Sequence, residues 1–98
     1  MADGYVFGID FGLKHIGLAV GQTVTGTANG LTTLRAKNGK PHWPELDNLL
    51  QQYRPIAVVV GLPLNMDGTE SDMSEQAAVF ASKLAARCQT PIYLADER

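Results

Sequence analysis

Gly8-Ile9-Asp10-Phe11-Gly12 closes an apolar run over residues 5–9 with a carboxylate and then a glycine. Aspartate is disfavoured inside a strand, so the pattern places Asp10 where a strand opens onto a surface. A second apolar run over residues 16–20, with Gly17 inside it, follows almost at once. That spacing predicts a hairpin whose tight turn, residues 12–15, lies beside the carboxylate. An Asp-x-Gly on its own is explained by turn capping. The rest of the chain gives Asp10 a chemical reading.

Working outward, residues 27–35 alternate loosely and predict a third strand, leading into a polar linker over residues 36–42. Pro44 at the start, Glu45 and Asp47 in the first turn, and Leu46, Leu49, Leu50 and Tyr53 at helical spacing predict a short amphipathic helix that Arg54-Pro55 ends. Residues 56–60, Ile-Ala-Val-Val-Val, form a continuous apolar run of the kind buried on both faces of a sheet. After Gly61 comes the loop Leu62-Pro63-Leu64-Asn65-Met66-Asp67-Gly68-Thr69. Asp72 and Glu75 then form a capping-box pattern opening a helix with the apolar face Met73, Ala77, Phe80, Ala81, Leu84, Ala85 and Cys88. Pro91 breaks it, residues 92–95 make a last strand, and Asp96-Glu97-Arg98 close the sequence.

The order hairpin, strand, helix, strand, helix, strand is a mixed α/β pattern with helical crossovers between the later strands. In such sheets chemistry gathers at the carboxyl ends of parallel strands. Three such ends carry Asp10, the loop after Gly61, and Glu97.

Ninety-eight residues limit the chain to a single domain with a modest core. An apolar content of 45% and a charged content of 18% are ordinary for a soluble globular chain. No apolar window reaches the length of a membrane span, and Met1-Ala2-Asp3-Gly4 lacks a basic signal region, so the expectation is a cytoplasmic protein with no membrane partner. The lone Cys88 forms neither an internal disulfide nor a zinc pattern and reads as a packed thiol. The net charge of −2 argues against a broad basic surface. Its distribution is uneven: residues 11–44 hold Lys14, His15, Arg35, Lys37, Lys40 and His42 with no acid, while residues 61–80 hold four acids and no Lys or Arg. One flank is therefore able to meet phosphates, and a solvated face explains the segregation equally well.

Three segments in order resemble the YqgF family, candidate Holliday-junction resolvases also described as nucleases of the small-subunit ribosomal RNA precursor: residues 8–19, residues 60–70, and Asp96-Glu97-Arg98. The resemblance implies an RNase H-like fold, an α/β architecture with a five-stranded mixed sheet in the order 3-2-1-4-5, strand two antiparallel, and flanking helices. With one strand between the first and the last, their ends lie ~10 Å apart at the backbone. That puts Asp10 and Glu97 within reach of a shared pair of metal ions about 3.5–4 Å apart.

The family chemistry implied is phosphodiester hydrolysis with two Mg²⁺ or Mn²⁺ ions held by carboxylate oxygens. On that basis Asp10 and Glu97 are the catalytic and metal-binding pair, Asp10 bridging and Glu97 holding one ion or orienting water. Lys14, His15 and Arg98 are substrate-binding candidates for phosphate. Asn65 either positions substrate or shapes the turn with Asp67-Gly68. The implied partner is structured nucleic acid, either precursor ribosomal RNA or branched DNA.

Two departures stand out. The family usually has Arg where this chain has His15, which implies a weaker and pH-dependent phosphate contact. The family also continues past Asp-Glu-Arg into a C-terminal helix bearing a third acidic ligand, so residues 1–98 are expected to be a fragment that lacks this part, is inactive as a nuclease, binds metal poorly and self-associates. Two other classes share parts of the pattern. A non-catalytic nucleic-acid or ribosome-associated binding module would keep the fold without the third acid. An actin-like ATPase also begins with Asp and glycines in a first hairpin, but needs a second glycine-rich phosphate loop that this sequence does not contain.

Overall fold

A computed structural model describes residues 4–63 and 70–97, apart from the side chains of residues 63, 70–74, 96 and 97. Six strands, β1 (Tyr5–Asp10), β2 (His15–Gln22), β3 (Thr27–Lys37), β4 (Lys40–Pro41), β5 (Ala57–Pro63) and β6 (Ile92–Glu97), form one sheet in the order β4-β3-β2-β1-β5-β6. Helix α1 (Trp43–Tyr53) joins β4 to β5, and α2 (Glu70–Arg87) precedes β6. β2 runs antiparallel to β1 and β3, whereas β1, β5 and β6 are parallel. The expected 3-2-1-4-5 order is present as β3-β2-β1-β5-β6.

The sheet has six strands rather than five because the expected linker over residues 36–42 is itself a hairpin. β3 runs on to Lys37, and Asn38 and Gly39, with φ of 52° and 78°, turn the chain so that Lys37 pairs with Lys40 and Ala36 with Pro41. Two consecutive left-handed residues make the turn that matches strand twist, and Asn-Gly is the dipeptide that adopts it most readily.

Alternation along the strands sends Phe7, Ile9, Ile16, Leu18, Leu34, Val58 and Val60 to one face, where they meet Leu46 and Leu50 of α1 and Ala77, Phe80 and Leu84 of α2. Both helices therefore cover the same face. Phe80 joins the layers: its ring centroid lies 5.3 Å from that of Phe11 and 5.5 Å from that of Trp43. The Arg87 guanidinium stacks on Trp43 at 4.4 Å and pairs with Asp47, tying the end of α2 to α1. Tyr53 packs edge-on against Tyr5 and Phe7. Helix α1 stops at Arg54, which turns left-handed with φ 46° and donates its N–H to the Leu50 carbonyl at 2.8 Å.

Four expectations are corrected. β5 is fully buried on one face only: Val58 and Val60 are sealed by the helices, while Ala57 and Val59 are half-buried. A run of valines looks the same in sequence whether one face is covered or two. Ala85, assigned to the apolar face of the second helix, is exposed because that face narrows to Ala77, Phe80 and Leu84, with Ala81 at its margin. Cys88 lies one residue beyond α2, half-buried, with its thiol donating to the Leu84 carbonyl at 3.3 Å. The second helix opens at Glu70, so Asp72 lies within it rather than capping it as its spacing to Glu75 suggested; the side chains of Met73 and Asp72 are outside the described residues.

Candidate active site

Asp10 is the last residue of β1 and is exposed. Its backbone neighbours are Gly17 on β2 and Gly61 on β5, so no side chain walls in the carboxylate from either adjacent strand. A Cβ added to Gly17 would make ordinary contact with the Asp10 Cβ at 3.5 Å. The next residue, Phe11, is fixed on both counts: its N–H donates to the Gly61 carbonyl at 3.2 Å, and its side chain, 1% exposed, is packed in the core. Burying Phe7, Ile9 and Phe11 on the helix side leaves Asp10 on the opposite, open face.

The turn that follows is held just as firmly. The Leu13 carbonyl accepts the Gly39 N–H and the Lys14 carbonyl accepts the Ala36 N–H, both at 2.8 Å, so the β3–β4 hairpin buttresses residues 11–14. A Cβ at Gly12 would collide with the His15 carbonyl oxygen, so the turn needs glycine there. The open face around Asp10 is an exposed depression of about 650 Å³ whose lining mixes glycines, Gly17 and Gly61 among them, with larger side chains such as Leu31, Thr33 and Val59.

Lys14 and His15 are exposed at the start of β2, on the far side of the turn from Asp10. Glu97 is the last residue of β6 and pairs in register with Pro63. Ala95 is the β6 position level with Gly61 and hence with Asp10. Two strand spacings of ~4.8 Å and two rises of ~3.3 Å then separate the backbones at 10 and 97 by about 12 Å, slightly more than expected. The Glu97 side chain, Asn65, Arg98 and most of the loop after Gly61 lie outside the described residues. Among the described residues no three or more His, Cys, Asp or Glu side chains stand together as a metal cage.

Sequence reasoning did not single out Arg35, Lys37 and Lys40 as site residues. Arg35 pairs directly with His15, and Lys37 with Lys40, on strands two and three places from Asp10. Two signals were present for them: the acid-free segment 11–44 and the Asn38-Gly39 turn that folds its end back.

Comparison with known proteins follows the same lines. Residues 4–98 match the family described as RuvX, Holliday junction resolvase. A candidate pre-16S rRNA nuclease from Pseudomonas fluorescens strain SBW25 is 52% identical over 98 residues, covering all of this chain and 68% of that protein. One from Pseudomonas savastanoi pv. phaseolicola is 53% identical over 93 residues, covering 95% of this chain and 64% of that protein. The chain thus spans about two thirds of the length of these relatives. Among solved structures, T. thermophilus RuvC in complex with a Holliday junction substrate superposes with a TM-score of 0.65 at 20% identity, over 95% of this chain and 64% of that one. A second Thermus thermophilus RuvC structure gives 0.57 at 18% identity, over 94% and 61%. At these identities the likeness establishes the fold, the one RuvC shares, as the RNase H-like resemblance implied. No helix among the described residues is long and apolar enough to cross a membrane.

Proposed function

The chain belongs to the RuvX family, described as Holliday junction resolvases, and from that premise we propose that it forms the carboxylate-bearing part of a metal-dependent nuclease that hydrolyses phosphodiester bonds in structured nucleic acid. The observation that carries this is the setting of Asp10: a carboxylate at the carboxyl end of a central strand, exposed on an open face, with glycine on both neighbouring strands. A phosphate backbone can approach such a group closely because the positions paired with it, Gly17 and Gly61, carry no side chain.

The donor set suits a hard divalent cation. Asp10 and Glu97 offer carboxylate oxygens, the ligand type preferred by Mg²⁺ and Mn²⁺, and Asp10 is in no ion pair among the described residues. Two such ions, when bound, would acidify a water molecule and neutralise charge developing on the phosphoryl oxygens. In this reading Asp10 bridges, Glu97 holds one ion or orients the attacking water, and Lys14, His15, Asn65 and Arg98 bind substrate, their cations countering neighbouring phosphates. Two carboxylates alone hold Mg²⁺ weakly, because the ion keeps its hydration shell unless a fuller oxygen set replaces it. Residues 1–98 by themselves should therefore cleave poorly.

The favoured substrate is the precursor of small-subunit ribosomal RNA, on the names of relatives above 50% identity. The junction-bound structure is far more distant. The cytoplasm is the compartment in which such a substrate would be met. A second reading, binding without cleavage, is favoured by the absence of a cluster of three or more acidic, His or Cys side chains among the described residues. The test is Asp10→Asn in the full-length protein, assayed with Mg²⁺ on a structured RNA and on a four-way DNA junction. Cleavage should disappear while the fold stands, since the change removes a ligand charge but little volume. Unchanged cleavage of both substrates would make Asp10 structural.

A further inference from the structure

The strand register places five charged or titratable residues on one face in one line. Asp10 pairs with Gly17, so His15, two residues along β2, shares its face. His15 pairs with Arg35; Lys37, two further along β3, pairs with Lys40. Exposure agrees: all four basic residues are exposed, while Ile16, Leu34 and Pro41, the alternate positions, are buried on the helix side. With ~4.8 Å per strand and ~3.3 Å per residue, the backbones of His15, Arg35, Lys37 and Lys40 lie about 8, 12, 16 and 20 Å from that of Asp10.

We infer that this diagonal is a track for one phosphodiester strand, running from Asp10 across the start of β2 to the β3–β4 hairpin; the inference rests on the nuclease reading only for what Asp10 does at its head. Charge complementarity carries it. Residues 11–44 contain no acid, and among the described residues the sole ion pair, Arg87 with Asp47, is on the helix side. None of the track's cations is neutralised within the described protein. Lys37 and Lys40 moreover sit directly opposite each other, an arrangement that destabilises a strand pair through like-charge repulsion. Lysines on an edge strand also guard against edge-to-edge pairing, but a local cost of this kind is expected at a functional surface, and a bound phosphate relieves it. At 3.4 Å per nucleotide along one strand of a duplex, a track of about 20 Å covers about six nucleotides on one side of the scissile bond. The backbone chemistry is common to RNA and DNA, so the track orients either, and it explains how an acidic chain holds a polyanion.

The experiment measures equilibrium binding of labelled structured RNA and of a labelled four-way DNA junction across a salt series, in a buffer without divalent metal so that no cleavage intervenes. Lys37→Gln with Lys40→Gln should reduce the slope of log K against log salt by about two, roughly one for each phosphate left without its lysine. Lys37→Arg with Lys40→Arg, which keeps the charge, should restore the slope. Lys83→Gln, on the exposed side of α2 behind the sheet, should leave it unchanged. A reduced slope on only one of the two ligands supports the track and identifies its source of phosphate. An unchanged slope in the double Gln variant, with its circular dichroism spectrum intact, overturns the proposal, as does an equal reduction in Lys83→Gln. Asp10→Asn separates the two readings: if that variant still cleaves, the catalytic assignment of Asp10 fails while the slopes decide the track independently.

Discussion

A methyl group at Gly39 tests how the hairpin beyond the candidate active site holds Asp10 in place. Gly39 has φ +78°, where an L-residue costs about 1–2 kcal/mol. Its new Cβ would also lie 2.7 Å from Phe11 Cζ, 3.3 Å from Phe11 Cε1 and 3.4 Å from Gln76 Cβ. The Phe11 ring cannot swing away: it is 1% exposed and packed against Phe80. Overpacking a site of that kind costs about 1–3 kcal/mol. The two effects together give about 2–5 kcal/mol, which for a domain of this size lowers the melting temperature by about 8 °C or more. Gly26→Ala is the matched control. Gly26 has φ +67° but nothing within 4 Å of its Cβ, so that variant carries only the backbone cost of about 1–2 kcal/mol. Thermal melts followed by circular dichroism would compare the two. Because the Phe11 amide pairs with Gly61 directly after Asp10, Gly39→Ala should also lower any Asp10-dependent cleavage in the full-length protein, measured well below its melting point. If the two alanine variants melt within a degree or two of each other, the argument that Gly39 props Phe11 is wrong.

Phe80→Ala should be among the most damaging single changes, at about 3–5 kcal/mol in urea denaturation, because it empties the space shared by Phe11 and Trp43. Asp47→Asn should cost less than about 1 kcal/mol by the same measurement, since its pair with Arg87 is over a third exposed and screened by water. Residues 1–98 should self-associate in sedimentation velocity, because Tyr93 and Leu94 are 56% and 55% exposed on β6, which has no further strand beside it among the described residues. Tyr93→Lys should shift that equilibrium towards monomer, and a wild-type chain that stays monomeric at high concentration would refute the expectation.

Much of the architecture was legible because the relevant forces are local. Alternating and continuous apolar runs bounded by Gly and Pro mark strands, and the helical spacing of Leu46, Leu49, Leu50 and Tyr53 marks α1, without reference to distant contacts. The exposure of Asp10 was legible for the same reason: a carboxylate ending an apolar run has to turn away from the core. The short β4 was not recognised although its Asn-Gly turn is a local signal, because two residues carry no hydrophobic pattern to mark a strand.

Register and face belong to another level. Nothing in the order of residues says that His15 stands opposite Arg35, or that Gly61 of β5 lies beside Asp10 on the side away from Gly17; these follow from cross-strand pairing between segments far apart in sequence. The valines of β5 likewise do not reveal that only one side is sealed, since apolar pattern reports a preference for burial and not what is available to do the burying. By itself the sequence determined which segments become strands and helices and which residue types can bind metal and phosphate, because both depend on side-chain chemistry and short-range geometry. Only the tertiary structure decided which of them share a surface, because among the described residues a single sheet with both helices on one side leaves Asp10 and the basic diagonal exposed on its other face.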